Sequence, residues 1–445
     1  MSRPTPPHLL VERALALVPD AEEFLPLSDA VIGASRLDRD KQWARSGAYA
    51  TLGKRVVDPT RLAEMVPQMV AASQQRLQEL FTSVLDAVRH QQQGDPAAAA
   101  AALVRAGEVE EGGGRLEKAG KIYALALEIS RDLRDKAPHV LTLRRLGRTA
   151  RAAGRLDEAW GWYEQSYHLA VDAMDPAGQA VACQGLGNLC DDRGERERAR
   201  GWYERGLAIA RGLGEPSLEW PFYTNLSVIA IKHGELADAE ALLARARERI
   251  EATGADDAMP FYLNNRGLLL TEHGDLAAAE AVLRDALARK PEPRWELTVR
   301  CNLGDVLLRL GRQFEAQEEA RRAEELAIVH RLIADLVEVY VLLGAIARSR
   351  CDEEGFVFYE QALNVCHERG LPRKDEAAVL HGYGMLHAAC GRPAEARAYL
   401  GAAREIYDSL GFLPELARVD EDLAALEAAG SRDLAWTLTR IPPFH

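Results

Sequence analysis

One short string returns at fixed intervals along the chain: GRLEKA at Gly114, GRLDEA at Gly154, GERERA at Gly194, GELADA at Gly234 and GDLAAA at Gly274, each 40 residues after the last. GRQFEA at Gly311 and GRPAEA at Gly391 extend the series, and RCDEEG at Arg350 stands in the expected place between them with its turn glycine lost. Eight units in this register mean one supersecondary element stacked on copies of itself, because a single unit cannot bury its own apolar face. The chain of 445 residues is therefore read as one long repetitive body.

Each unit reads as two helices. In AVACQGLGNLCDDRGERERARGWYERGLAIA, Leu186 and Gly187 precede the turn at Gly194, and Ala199, Tyr203 and Gly206 follow it. Gly187 and Ala199 are small where the helices are expected to cross, with Tyr203 filling the space one turn later. Pro138, Pro176 and Pro216 mark unit starts, suiting a first helical turn. The composition agrees: 47% of residues are hydrophobic but only 6% aromatic, which favours helices packed through small side chains.

This pattern of Leu-Gly, turn Gly, Ala and aromatic resembles the tetratricopeptide repeat in its longer, roughly 40-residue form. The resemblance covers about residues 97 to 412, although the early Trp and late Pro of the shorter repeat are mostly missing. It implies an all-α, right-handed α-solenoid of about eight hairpins, with the first helix of each lining a concave groove. We expect three regions: a helical cap over 1–95, the solenoid over 96–412, and a capping helix with a loose tail over 413–445. The N-terminal part reads as two or three helical patterns ending in a long one over Thr60 to Gln93, without a convincing helix-turn-helix. PELARVDEDLAALEAAG reads as the terminal helix.

Several functions are disfavoured. A net charge of -13 argues against general affinity for nucleic acid or anionic membrane. The six cysteines, at 183, 190, 301, 351, 366 and 390, form no CxxC pair and read as small hydrophobes in a reducing compartment. The first residues, MSRPTPPHLLVERALALVPDAEE, suggest neither a secretory signal nor a membrane span, so a cytoplasmic location is expected. No nucleophile motif, phosphate loop or metal-ligand spacing occurs, and neither catalysis nor a cofactor is expected. His233 and His273 each precede a turn glycine and read as polar loop residues, while His381 and His387 share no helix face well. Trp162 and Trp202 occupy equivalent places, either as packing between repeats or as an aromatic platform.

The groove offers more. Arg144, Arg148 and Arg151 follow an i, i+4, i+7 spacing, so their guanidinium groups share a side of one helix. Their repulsion is relieved either by acids of the same chain, Asp191 or Asp192, or by an anionic ligand. Further along come Gln184 and Asn188, Thr224 and Asn225, Asn264 and Asn265, and Asn302. Asparagine is a mediocre helix-interior residue, and a row of amides suits either the backbone of an extended peptide or bridges between adjacent repeats. The resemblance implies peptide contact, since asparagines of peptide-binding tetratricopeptide proteins serve this purpose. The Lys and Asn set that clamps a terminal carboxylate is not intact here. Phe261, Leu268, Val228, Ile231 and Leu308 add apolar positions between the amides. The expected function is a scaffold binding a partner's peptide or helical segment, with an acidic stretch at the arginine end. The alternative is a ligand- or peptide-responsive regulatory module acting through the N-terminal region.

Overall fold

The computed structural model describes residues 59–428. The described residues form eighteen α-helices and a single short 3-10 turn, with no strand among them. In chain order the helices are α1 (Pro59–Gln92), α2 (Pro96–Gly112), α3 (Leu116–Ser130), α4 (Ala137–Ala152), α5 (Leu156–Asp172) and α6 (Pro176–Asp192). Next are α7 (Arg196–Leu213), α8 (Pro216–Lys232), α9 (Leu236–Thr253), α10 (Met259–His273), α11 (Leu276–Ala288) and α12 (Pro293–Arg309). The last six are α13 (Gln313–Val329), α14 (Leu336–Ser349), α15 (Glu354–Arg369), α16 (Arg373–Ala389), α17 (Pro393–Leu410) and α18 (Leu413–Ala428). Helices α2 to α17 make eight hairpins, and the fold is an α-solenoid. The long helix expected over 60–93 is α1; the earlier N-terminal patterns and the loose tail lie outside the described residues.

The repeated string does three jobs in each hairpin. Its glycine takes the left-handed conformation that lets the chain reverse, with φ between 69° and 82° at Gly114, Gly154, Gly194, Gly234, Gly274, Gly311 and Gly391. Where glycine is lost, Cys351 adopts φ 53°, so the turn persists one residue beyond Arg350. The alanine ending the string is completely buried at 119, 159, 199, 239, 279, 316 and 396, where the second helix crosses the first. Close packing also demands the glycines of the first helices. A Cβ on Gly187 would overlap the ring of Tyr203, and one on Gly107 the ring of Tyr123. Caps fix several starts: Asp95 and Asp175 accept hydrogen bonds from Ala98 N (3.0 Å) and Gly178 N (2.9 Å), each followed by proline in the first turn.

The chain divides into two compact units, one of residues up to Thr149 with Ile328–Leu332, the other of Ala150–Ala327 with Ile333 onward. In the smaller unit, α1 buries Leu80, Val84 and Ala87 and packs on α2, which contributes Ala99 and Leu103. In the larger unit, α18 covers α17, burying Val419 and Leu426 beside Leu400 and Tyr407. Successive first helices α6, α8, α10, α12, α14 and α16 touch one another, whereas successive second helices make no comparable contact. The first helices therefore lie on the inside of this unit's curve.

The larger unit also closes on itself. The turn at Gly154 lies so near the carbonyl of Gly370 that a Cβ would overlap it, and the turn at Gly194 sits against Phe412 and the carbonyl of Leu410. Arg196 stacks over the Phe412 ring at 5.3 Å and pairs with Glu415 at 2.8 Å.

Candidate functional site

The inner face of the larger unit begins with a charged cluster. Arg151, at the end of α4, holds Asp192 in two-point contact, with Nε to Oδ2 at 2.5 Å and Nη2 to Oδ1 at 3.1 Å. Lys374, on the first turn of α16, reaches the same carboxylate at 3.3 Å, and Lys232 pairs with Asp191 at 3.0 Å. Burial would raise the Asp192 carboxyl, but Arg151 and Lys374 outweigh it and hold the group well below the usual carboxylate range. Next to them, burial and the Asp192 charge push Asp375 up to about 6 against the pull of Lys374.

The arginines of the series expected from the sequence meet different carboxylates. Arg148 is clasped by Glu111 within the smaller unit, through Nε at 2.6 Å and Nη2 at 2.7 Å, and its neighbour Arg145 pairs with Glu108. Arg144 is half-buried on the same helix. Arg151 turns to Asp192 instead.

The amides form a ladder from helix to helix. Asn225 Nδ2 donates to Asn188 Oδ1 (3.3 Å), which also accepts from the Tyr203 hydroxyl (2.7 Å). Asn265 Nδ2 donates to the carbonyl of Thr224 (3.3 Å), and Asn302 Nδ2 to Asn264 Oδ1 (2.7 Å). Thr224, Asn264 and Asn302 are buried, whereas Gln184, Asn188, Asn225 and Asn265 remain half-buried. The row thus bridges adjacent repeats through buried and half-buried members alike, and the half-buried amides keep unused capacity.

Apolar residues flank the ladder. Val228, Ile231, Leu268 and Leu308 are half-buried, as is Phe261. Phe261 lies between two tryptophans that sequence reasoning missed, with ring centroids 6.0 Å from Trp220 and 4.2 Å from Trp295. The three rings come from the N-terminal halves of α8, α10 and α12. They stand 14, 13 and 16 residues before their turn glycines, 234, 274 and 311, so no fixed register announced them. Deeper along the face, burial with the charges of Asp335 and Asp375 pushes Glu338 up to about 8, Arg294 only partly opposing them.

Other singled-out residues have local roles. Trp202 packs edge-on against Trp160 at 6.5 Å and Tyr167 at 5.8 Å, while Trp162 donates to Glu158 at 3.2 Å. His381 is buried and contacts Asp422 at 2.7 Å; His387 is boxed by Phe356, Tyr383 and Tyr399. His233 and His273 are exposed at their turns. All six cysteines are free thiols, and Cys351 is the exposed one. Among the described residues no group of three or more His, Cys, Asp or Glu could hold a metal ion, and no helix is long and apolar enough to cross a membrane.

These features define a class: an α-solenoid of helical hairpins whose inner face carries amides, half-buried apolar side chains and paired charges. Residues 67–257 match the family described as the MalT-like TPR region, and residues 377–402 match the tetratricopeptide repeat. The chain is a tetratricopeptide-repeat protein. Its fold is similar to that of the Rap conjugation gene regulator of plasmid pLS20, solved in complex with the Phr* peptide. That likeness has a TM-score of 0.54 at 14% identity and covers 76% of this chain and 98% of the other. More distant likenesses are BtubC of P. vanneervenii (TM-score 0.39, 19% identity, 51% and 91% covered) and the apo quorum sensor NprR of B. thuringiensis (0.38, 16%, 92% and 100%). No curated protein matches the chain by sequence.

Proposed function

We propose that this chain is a non-enzymatic interaction scaffold that holds an extended peptide segment of a partner against the inner face of its larger unit. The observation carrying this reading is the half-buried row Trp220, Phe261 and Trp295 beside amides with spare donors and acceptors. Amides fix a peptide backbone, and rings between them accept apolar side chains. The Rap regulator, whose fold this chain shares, was solved with a peptide, which favours the same use here. Arg151, with Lys232 and Lys374, is the end that receives an acidic stretch, since guanidinium and ammonium groups already grip carboxylates there. The regulatory alternative draws on the contact between Lys374 and Asp192: an acidic ligand competing for Lys374 would loosen the closure of the unit. The regions 1–95, 96–412 and 413–445 serve in this proposal as cap, solenoid and cap. Removing residues 1–93 should bare the apolar surface of α2 and cause aggregation; an unchanged melting profile would remove the capping role.

The test is a selection of twelve-residue peptides from a random library on the wild-type chain, followed by fluorescence anisotropy with Phe261→Ala and Trp295→Ala. Selected peptides should bind the variants at least tenfold more weakly. Equal binding, with the variants folded, sinks the proposal.

A further inference from the structure

The repeats supply their own internal control, and one hairpin departs from it. Eight residues before each turn stands an apolar side chain that packs into the seam between helices: Ala106, Leu146, Leu186, Leu226, Leu303, Leu343 and Tyr383, all buried. In the hairpin turning at Gly274 that position is Arg266. It lies roughly 200° around α10 from Asn264, away from the amide ladder.

Arginine in an apolar seam needs a partner, because an uncompensated charge held out of water is costly. Arg266 is half-buried, and its guanidinium has no carboxylate within 4.0 Å among the described residues. Among the described residues its side chain donates to the Tyr262 hydroxyl alone, at 3.3 Å. A cleft of about 370 Å³ lies beside Arg266, between α9, α10 and α11. That volume falls in the range of small-molecule sites.

The lining is amphipathic in a particular way. Arg247 and Arg289 join Arg266, while Met259, Leu263 and Val282 form an apolar wall. Two acids share the cleft: Glu251 pairs with Arg247 (2.6 Å) and Asp285 with Arg289 (3.6 Å), each four residues apart in the sequence. Both pairs are exposed and hold their arginines weakly. Three guanidinium forks against two carboxylates, each paired with another arginine, leave an excess positive charge at Arg266.

We propose that this cleft binds a small organic anion, a phosphate or carboxylate group on an apolar stem. The head group takes the fork of Arg266, whose planar donors match either anion in two-point contact, with Arg247 and Arg289 closing over it. The stem lies on Met259, Leu263 and Val282. The site is separate from the peptide face and does not depend on it.

Isothermal titration with phenyl phosphate and phenylacetate, against inorganic phosphate, tests the assignment on the full chain and on Arg266→Leu. Leucine is the residue that five of the other seven hairpins carry at this position. The expected result is saturable binding of at least one aromatic anion by the wild type, tighter than inorganic phosphate and at least tenfold weaker in the variant. Should Arg266→Leu not fold, Arg266→Gln takes its place with the same reading. Absence of binding by the wild type, or equal binding by the variant, overturns the proposal.

Discussion

Replacing Glu338 with glutamine should make the protein more stable at pH 8 and change it far less at pH 5. The carboxyl sits on the first turn of α14, where burial and the charges of Asp335 and Asp375 disfavour ionisation and push it up to about 8, from an ordinary 4.5. The fold therefore favours the protonated form. The group's contribution is fully present below the unfolded value and is lost as pH rises through the folded one. Each pH unit between the two values costs about 1.4 kcal/mol for a fully enclosed group. That would reach about 3 kcal/mol at pH 7. Glu338 is only half-buried, and solvent reduces the figure to about 1–2 kcal/mol. Glutamine has the same shape without the charge, and Asp375 remains in both proteins. Urea unfolding of wild type and Glu338→Gln at pH 5 and pH 8 measures the difference directly. A gap of the same size at both pH values, or a variant less stable at pH 8, would refute the reasoning.

Other outcomes follow from contacts in the same structure. Asp192→Asn should cost about 3 kcal/mol, because it leaves Arg151 and Lys374 facing each other without their shared carboxylate; a melting temperature unchanged within one degree would contradict this. Gly187→Ala should lose about 1–3 kcal/mol by forcing a methyl group into the Tyr203 ring, a loss measurable by thermal unfolding monitored by circular dichroism. Cys351→Gly should gain about 1 kcal/mol by relieving a left-handed turn that glycine occupies in the other hairpins, and a loss of stability would assign the cysteine a contact of its own.

The hairpins were legible because a repeat states its register many times over. Turn glycines, the buried alanines and the Gly187 to Tyr203 fit could all be read from spacing, but in the hairpin without the glycine the spacing points to Arg350 and the left-handed residue is Cys351. The candidate site was legible only in part. Asparagines 188, 225, 264, 265 and 302 could be placed on one face, but which were spent on one another depended on distances of a few tenths of an ångström. Arg148 and Arg151 share a helix face yet find different carboxylates, because Glu111 and Asp192 approach from different helices. Lys374 could not be anticipated beside Asp192: it lies far along the chain, and no local pattern encodes how the unit curls. Trp220 and Trp295 were missed for lack of fixed register. Arg266 is a break in the repeat that the sequence displays, but spacing alone does not say that the chain meets no carboxylate there.

The closure of the larger unit changes how it comes apart. In a solenoid whose repeats touch only their neighbours, stability is a sum of local terms and unfolding can fray from either end. Here Gly154 lies against Gly370, Gly194 against Leu410, and Arg196 against Glu415, so the terminal hairpins of the unit hold each other. Losing one end exposes the other, and intermediate, half-unravelled forms lose these contacts without gaining replacements. The unit should melt as one cooperative block. Its contact order exceeds that of an open repeat array, so its folding must wait for distant segments to meet.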